Sequence, residues 1–412
     1  MLHRVMVNFV GLESQRVLQA LRALDIDTVL SHDQDRDAPY CVDDAGFIAV
    51  HEAGKPQSII AKTLDAGCDG LHLLGISEVE AFAASSVCSN LRIAYLLGPA
   101  DHLATLMNRV GIRWAASDLN MSVVTTSEKI ESIEDGEYWL IRLGVPLVLR
   151  TLRGPSQKIF SIEEAKIAIK KELEEGAVVL ERLLPDVREV ETLMFSDGEN
   201  LPICLGESDC SIRVDGYRSF CEFPPQGILQ KELLKLRKQA AQLIIGTQWK
   251  GLISARFLVT SDGRAYFLQL NPGLKPWHAA VEASLQVDLY ETLFRVLNGD
   301  ELGWKQNDIM FQGHSVCLLI YATSSGRISR LVVPQKASWS WGPMMGDYVK
   351  RGELIGSFAI RAKDRMEALL LAKENIEELT VEGVDTNIEG LERVLCSKEF
   401  WAGPISRDIP TD

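Results

Sequence analysis

Ser254–Ala283 reads SARFLVTSDGRAYFLQLNPGLKPWHAAVEA. Two apolar runs, SARFLVT and AYFLQLN, flank Ser261-Asp262-Gly263-Arg264, and an Asp-Gly between alternating apolar runs signals a β-hairpin. Side chains alternate faces along a strand, so a one-residue slip would invert the whole pair. Phe257, Leu258, Phe267, Leu268 and Asn271 therefore pin the register. The nearest acids along the chain, Asp262, Glu282 and Asp288, fall in the turn or the following helix.

Upstream, residues 1 to about 100 alternate short apolar strands with amphipathic helices: Val5–Val10, Ser14–Leu24, Thr28–Ser31, Phe47–Val50, Pro56–Ala66, Gly70–Leu73, Glu78–Ser86 and Ile93–Tyr95. That alternation implies a parallel sheet with right-handed crossovers. The first turn, Asn8 to Glu13, lacks the G-x-G-x-x-G that cradles a dinucleotide pyrophosphate, so no nucleotide site is expected in this domain. A small lid-like section follows, with a buried strand at Pro146–Leu149, a helix at Ser161–Glu175 opened by Ser161-Ile-Glu-Glu, and a strand at Ala177–Leu183. A helix at Lys231–Ile245 precedes the hairpin, and the chain closes with helices at Asp364–Leu379 and Thr386–Cys396.

A chain of 412 residues is too long for one compact core and suggests two or three domains. Apolar content of 46% with 24% charged residues is that of a soluble globular protein. A net charge of -14 argues against a nucleic-acid surface, and no apolar run approaches the roughly 20 residues of a membrane helix. With strand-like sequence starting at His3 in place of a secretory leader, a cytoplasmic location is expected. The eight cysteines, at 41, 68, 88, 204, 210, 221, 317 and 396, show no metal-ligand spacing and read as reduced, mostly buried thiols.

Several segments in order carry a family resemblance: HRVMVNFVGLESQRVLQALRALDIDTVLSH at 3–32, REVETLMFSDGENLPICLGESDCS at 188–211, the hairpin and its loop, VDLYETLFRVLNGDEL at 287–302, FQGHSVCLLIYA at 311–322 and VEGVDTNIEGLERVL at 381–395. Together they resemble the biotin carboxylase family. The resemblance implies an α/β ATP-grasp fold with an N-terminal Rossmann-like parallel-sheet domain (1–103), an ATP-grasp domain (104–300, with its lid at about 121–192) and a β-rich C-terminal domain (301–412).

The resemblance assigns two metal-binding Glu to the paired strands, where this chain has Arg256 and Gln269, and an Arg and a Glu for bicarbonate to positions occupied by Gly273 and Trp277. Glycine has no side chain and an indole can only donate, so neither can do that work. A guanidinium at the first position places a fixed positive charge where the cation would sit. Asn271 and His278 keep the family's residues, His278 being read as packed and structural. The lid loop Thr151–Phe160 has one glycine, Gly154, followed by Pro155, and is a poor phosphate cradle because proline removes a donor. Lysines that the family places on nucleotide and bicarbonate correspond to Arg109, Arg150 and Arg218. With Asn271 these either retain a nucleotide or anion site or are surface and ion-paired arginines.

The resemblance with its substitutions implies a catalytically inactive biotin carboxylase homologue, a structural or regulatory component of a biotin-dependent acyl-CoA (acetyl-CoA) carboxylase system in fatty acid metabolism. Its expected partners are a biotin carboxylase, a biotin carrier protein or a second copy of itself. A dimer through the faces bearing Arg16, Gln19 and Arg22 and residues near Arg365 follows from that expectation. No Mg²⁺ site is expected, and ATP is expected to bind weakly if at all. The other readings are an ATP-grasp ligase with a changed substrate and a metal-independent nucleotide or acyl-CoA sensor.

Overall fold

The N-terminal alternation folds into a five-stranded parallel sheet in the computed structural model, which describes residues 2–33, 46–50, 55–107, 109–151, 157–334 and 339–403. The strands lie in the order Gly46–Val50, Asp27–Asp33, Arg4–Asn8, Gly70–His72, Ala94–Tyr95. Successive side chains of Arg4–Asn8 enter different cores, as a period of two requires. Val5 and Val7 pack with Leu12, Val17, Leu18 and Leu21 of the helix Leu12–Ala23, while Met6 packs with Ile59, Ile60, Ala84 and Cys88 of the helices on the other face. Both faces are covered, the usual condition of a parallel sheet. Ser77 opens the helix Glu78–Leu91 with a capping box closed by Glu80.

The hairpin forms as the Asp-Gly turn predicts, joining Lys250–Thr260 to Ala265–Pro272. Arg256 pairs with Gln269 and Ser254 with Asn271, with a bulge after Arg256. These strands belong to a nine-stranded sheet ordered Trp339–Trp341, Leu354–Ala362, His314–Tyr321, Phe220–Phe223, Ile203–Asp209, Val187–Asp197, Lys250–Thr260, Ala265–Pro272, Ser122–Val123. Every neighbouring pair is antiparallel except the last. The sheet crosses residue 300 without a break, since Cys221 pairs with Cys317, so the C-terminal section continues the grasp half by backbone hydrogen bonds. Helices Arg365–Glu378 and Ile388–Cys396 cover that end through Leu369, Ile376, Leu391 and Leu395.

The lid is a three-stranded antiparallel sheet, Leu147–Thr151, Gln157–Ile159 and Val178–Arg182, covered by helices Ile133–Leu143 and Ile162–Leu173. Ser161 caps the second helix by accepting from the Glu164 N–H at 3.1 Å. Gly154 and Pro155 lie outside the described residues, as does Cys41. Of the described cysteines, Cys68, Cys88, Cys204, Cys210, Cys221 and Cys317 are buried free thiols, and Cys396 is exposed. Among the described residues no helix is long and apolar enough to cross a membrane.

Candidate functional site

Strand Val187–Asp197 runs between Ile203–Asp209 and Lys250–Thr260, so both its edges are paired and neither face is free. Glu189 and Glu191, two apart, point to one face and are 0% and 1% exposed. Three arginines converge on them. Arg218 donates from Nη1 to Glu191 Oε1 at 2.8 Å and from Nη2 to Glu189 Oε1. Arg256 donates from Nη2 to Glu189 Oε1, and its Nε lies 3.3 Å from Glu191 Oε1. Arg213 reaches Glu189 Oε2 at 3.3 Å. The second oxygen of Glu191 accepts from Ser254 Oγ at 3.2 Å and from the Trp277 indole at 2.9 Å.

His278 completes the cluster. Its Nδ1 accepts from the Lys275 N–H at 3.1 Å, so the ring proton sits on Nε2, which donates to Glu191 Oε2 at 3.2 Å. Burial lowers the His278 pKa, against the pull of Glu191. For Glu191 itself, burial alone would raise the carboxyl, but Arg218, the His278 hydrogen bond and Arg256 hold it well below the usual carboxylate range. The Arg218 guanidinium also stacks 3.9 Å from the Trp277 ring centroid. Two carboxylates removed from water are stable only when paired and hydrogen-bonded, and here guanidinium groups outnumber them.

This donor set does not fit a divalent cation. Mg²⁺ takes oxygen ligands, chiefly carboxylate, carbonyl and water. At the two strand positions in question stand a guanidinium and an amide, and the Gln269 amide donates to Asn271 Oδ1. The adjacent carboxylates accept from arginine, and a cation there would meet the fixed charge of Arg256. Among the described residues no group of three His, Cys, Asp or Glu could hold a metal ion.

The structure also revises several sequence expectations. The acids nearest Arg256 are Glu189 and Glu191, brought by strand pairing, and not Asp262, Glu282 or Asp288. The only sign of them in the sequence is the alternation Glu189-Val190-Glu191 within an apolar strand. Trp277 holds Glu191 with its indole N–H, a role that the sequence reading did not suggest. Arg218, on the short strand Tyr217–Arg218, reaches the Glu189–Glu191 pair and Asn271 lies on the hairpin, but Arg150 goes elsewhere. Its Nη2 lies 3.0 Å from Glu181 Oε1, while Arg113 donates to Glu181 Oε2 at 2.8 Å. The Arg109 side chain lies outside the described residues. Arg16 and Arg365, expected at a dimer surface, are anchors inside the chain, Arg16 on Glu282 at 2.7 Å and Arg365 on Glu222 at 2.6 Å.

The ATP-binding domain of the carbamoyl-phosphate synthase L chain matches residues 108–305. Biotin carboxylase 2 of Bacillus subtilis is 24% identical over 99% of this chain and 99% of its own length. The biotin carboxylase of Pseudomonas aeruginosa is 25% identical over 98% and 97%. The chain belongs to the biotin carboxylase family of ATP-grasp proteins. Its fold agrees with that of the Hydrogenobacter thermophilus 2-oxoglutarate carboxylase biotin carboxylase domain, solved as a dimer with MgADP, ADP and bicarbonate, at a TM-score of 0.91 and 20% identity over 99% of this chain and 96% of that one. Campylobacter jejuni biotin carboxylase gives 0.89 at 18% identity over 99% and 98%. The rat methylcrotonoyl-CoA carboxylase subunit alpha is 25% identical over 65% of this chain, which spans 41% of that subunit. Arg256 and Gln269 are direct cross-strand partners.

Proposed function

We propose that this chain is a biotin carboxylase-family pseudoenzyme, a structural or regulatory component of a biotin-dependent acyl-CoA carboxylase system such as acetyl-CoA carboxylase. One observation carries the reading: the Arg256 guanidinium lies on the buried pair Glu189 and Glu191, opposite Gln269. A permanent cation on these acids neutralises them without a metal and takes the place a metal would need. The same group stabilises the fold, so what is lost for phosphoryl transfer is retained for structure. Glu181 fits this reading, because it draws Arg150 and Arg113 into a buried ion pair at the lid. The partner is an authentic biotin carboxylase subunit, a biotin carrier protein or a second copy of the chain, in the cytoplasm. Light scattering of the purified chain, alone and mixed with a cognate biotin carboxylase, tests the reading. A stable assembly with itself or the homologue is expected, and a strict monomer that binds neither would defeat it.

A further inference from the structure

A cavity of 220 Å³ lies between the C-terminal end of strand Gly70–His72 and the loop at Gly273–Trp277. Leu74, Leu96, Leu97, Leu252 and Leu293 give it an aliphatic wall. The wall is held in place: the Asn8 amide donates to Leu74 O at 2.9 Å and accepts from Leu74 N–H at 2.7 Å, and the Trp249 indole donates to Leu252 O at 3.0 Å. Pockets that are preformed in this way lose little to ordering when a ligand enters.

Polar side chains interrupt the wall. His72 is 4% exposed, and its Nδ1 has no hydrogen-bond partner among the described residues. Its ring packs edge-on against Phe294 at 5.4 Å and Tyr290 at 6.5 Å, which fixes the imidazole without satisfying its nitrogen. Burial, and then the charge of Lys275, push its pKa down to about 4, so it is neutral at neutral pH. Lys275 lines the same cavity, and its ammonium makes no ion pair among the described residues. Glu13 lies within the field of Lys275, its carboxyl raised by burial against the pull of Lys275 and Arg16. A buried, unpartnered nitrogen beside an uncommitted ammonium is an arrangement that native structures seldom leave unused.

We propose that this cavity binds a short-chain aliphatic monocarboxylate, its carboxylate on the Lys275 ammonium and the His72 Nδ1–H and its alkyl chain against the leucines. Size sets the length, since at about 30 Å³ per water the space equals roughly seven waters, room for a chain of about three to five carbons. Charge sets the valence: Lys275 is one cation, Arg16 is committed to Glu282, and a second carboxylate would meet Glu13. The leucine wall sets the class, because bicarbonate has no apolar part to place there. This site is independent of whether the chain turns over Mg-ATP.

The test is calorimetric titration of the full chain at neutral pH with isovalerate, propionate and bicarbonate. Isovalerate should bind, propionate more weakly, and bicarbonate at least about tenfold more weakly than isovalerate, in line with the burial of its extra methylenes. Lys275→Met and Lys275→Gln should each weaken isovalerate binding about tenfold or more, the worth of a charge-assisted hydrogen bond, with thermal melting unchanged. His72→Phe, which keeps the ring packing, should weaken it severalfold. No binding of isovalerate, bicarbonate binding as tightly as isovalerate, or full binding by a folded Lys275 variant would overturn the proposal.

Discussion

Arg256 lies directly opposite Glu191 across an antiparallel strand pair, with Nε 3.3 Å from Glu191 Oε1 while its Nη2 donates to Glu189. One side chain thus neutralises both acids beside it. Removing a partner from a buried ion cluster costs more than the cluster itself contributes, because a charge is left uncompensated.

Arg256→Met should therefore lower stability by about 3 kcal/mol. Adding Glu191→Gln should recover part of that loss, since the two residues share one network and their effects should not add. Urea denaturation of the single and double variants measures it, and additive losses would show that the pair is not coupled.

Gly273 has φ +77, and a Cβ there would stand 2.9 Å from Leu97 Cδ1. Gly273→Arg forces a side chain into a left-handed backbone conformation and against that leucine. A cost of about 1–3 kcal/mol is expected, visible as a lowered melting temperature. An unchanged melting temperature would mean that the loop relaxes freely.

Acid should weaken the fold in two steps. A group whose pKa is lowered by folding favours the fold only while deprotonated, so its contribution is complete above its ordinary pKa and lost below it. His72, pushed to about 4, and His278, lowered by burial against Glu191, therefore withdraw stability as pH falls below their ordinary 6.5. From neutral pH to pH 5 the His72 share is about 2 kcal/mol. Below the ordinary carboxylate value of 4.5, Glu191 and Glu181 add a steeper loss, since in both the arginines outweigh burial. Glu13 and Asp209, raised by burial, work in the opposite direction. Thermal melts of the chain and of His72→Phe at neutral pH and pH 5 should differ in slope, the variant losing less. Parallel slopes would rule out His72 as the source.

Glu181 ties Arg150 on one lid strand to Arg113 on helix Arg109–Asp118, and Arg113 Nε also donates to Leu268 O at 3.3 Å. The lid is therefore latched to the central sheet through a carboxylate whose side chain is 3% exposed. Glu181→Gln should speed hydrogen exchange in Leu147–Thr151 and Val178–Arg182 ahead of the rest of the chain, because local opening follows lost buried contacts. Uniform protection would show that the lid's own core holds it.

The parts of the fold that could be read from residue order are those set by local pattern. The alternation in Arg4–Asn8, the Asp-Gly turn and the Ser161 cap each depend on neighbours within a few residues, and each appears where expected. The pairing of Arg256 with Gln269 lies beyond that logic, because the register that sets Phe257 against Phe267 reaches Gln269 only through the bulge after Arg256. What governs the site is non-local. Glu189 and Glu191 show a shared face in the sequence, but only the flanking strands decide that this face is interior. Arg16 and Glu282 are 266 residues apart, and nothing near either one reveals the pair. The indole of Trp277 and the proton of His278 find Glu191 by the same long-range folding.

In the proposed function, Arg256 on Glu189 and Glu191 replaces a metal rather than assisting one. Phosphate release from Mg-ATP by the purified chain, with free biotin and bicarbonate, tests it most directly, with Bacillus subtilis biotin carboxylase 2 assayed alongside. Biotin-dependent release no greater than the background without biotin is the expected result, and a rate within about tenfold of that biotin carboxylase, a barrier difference of only about 1.4 kcal/mol, would contradict it.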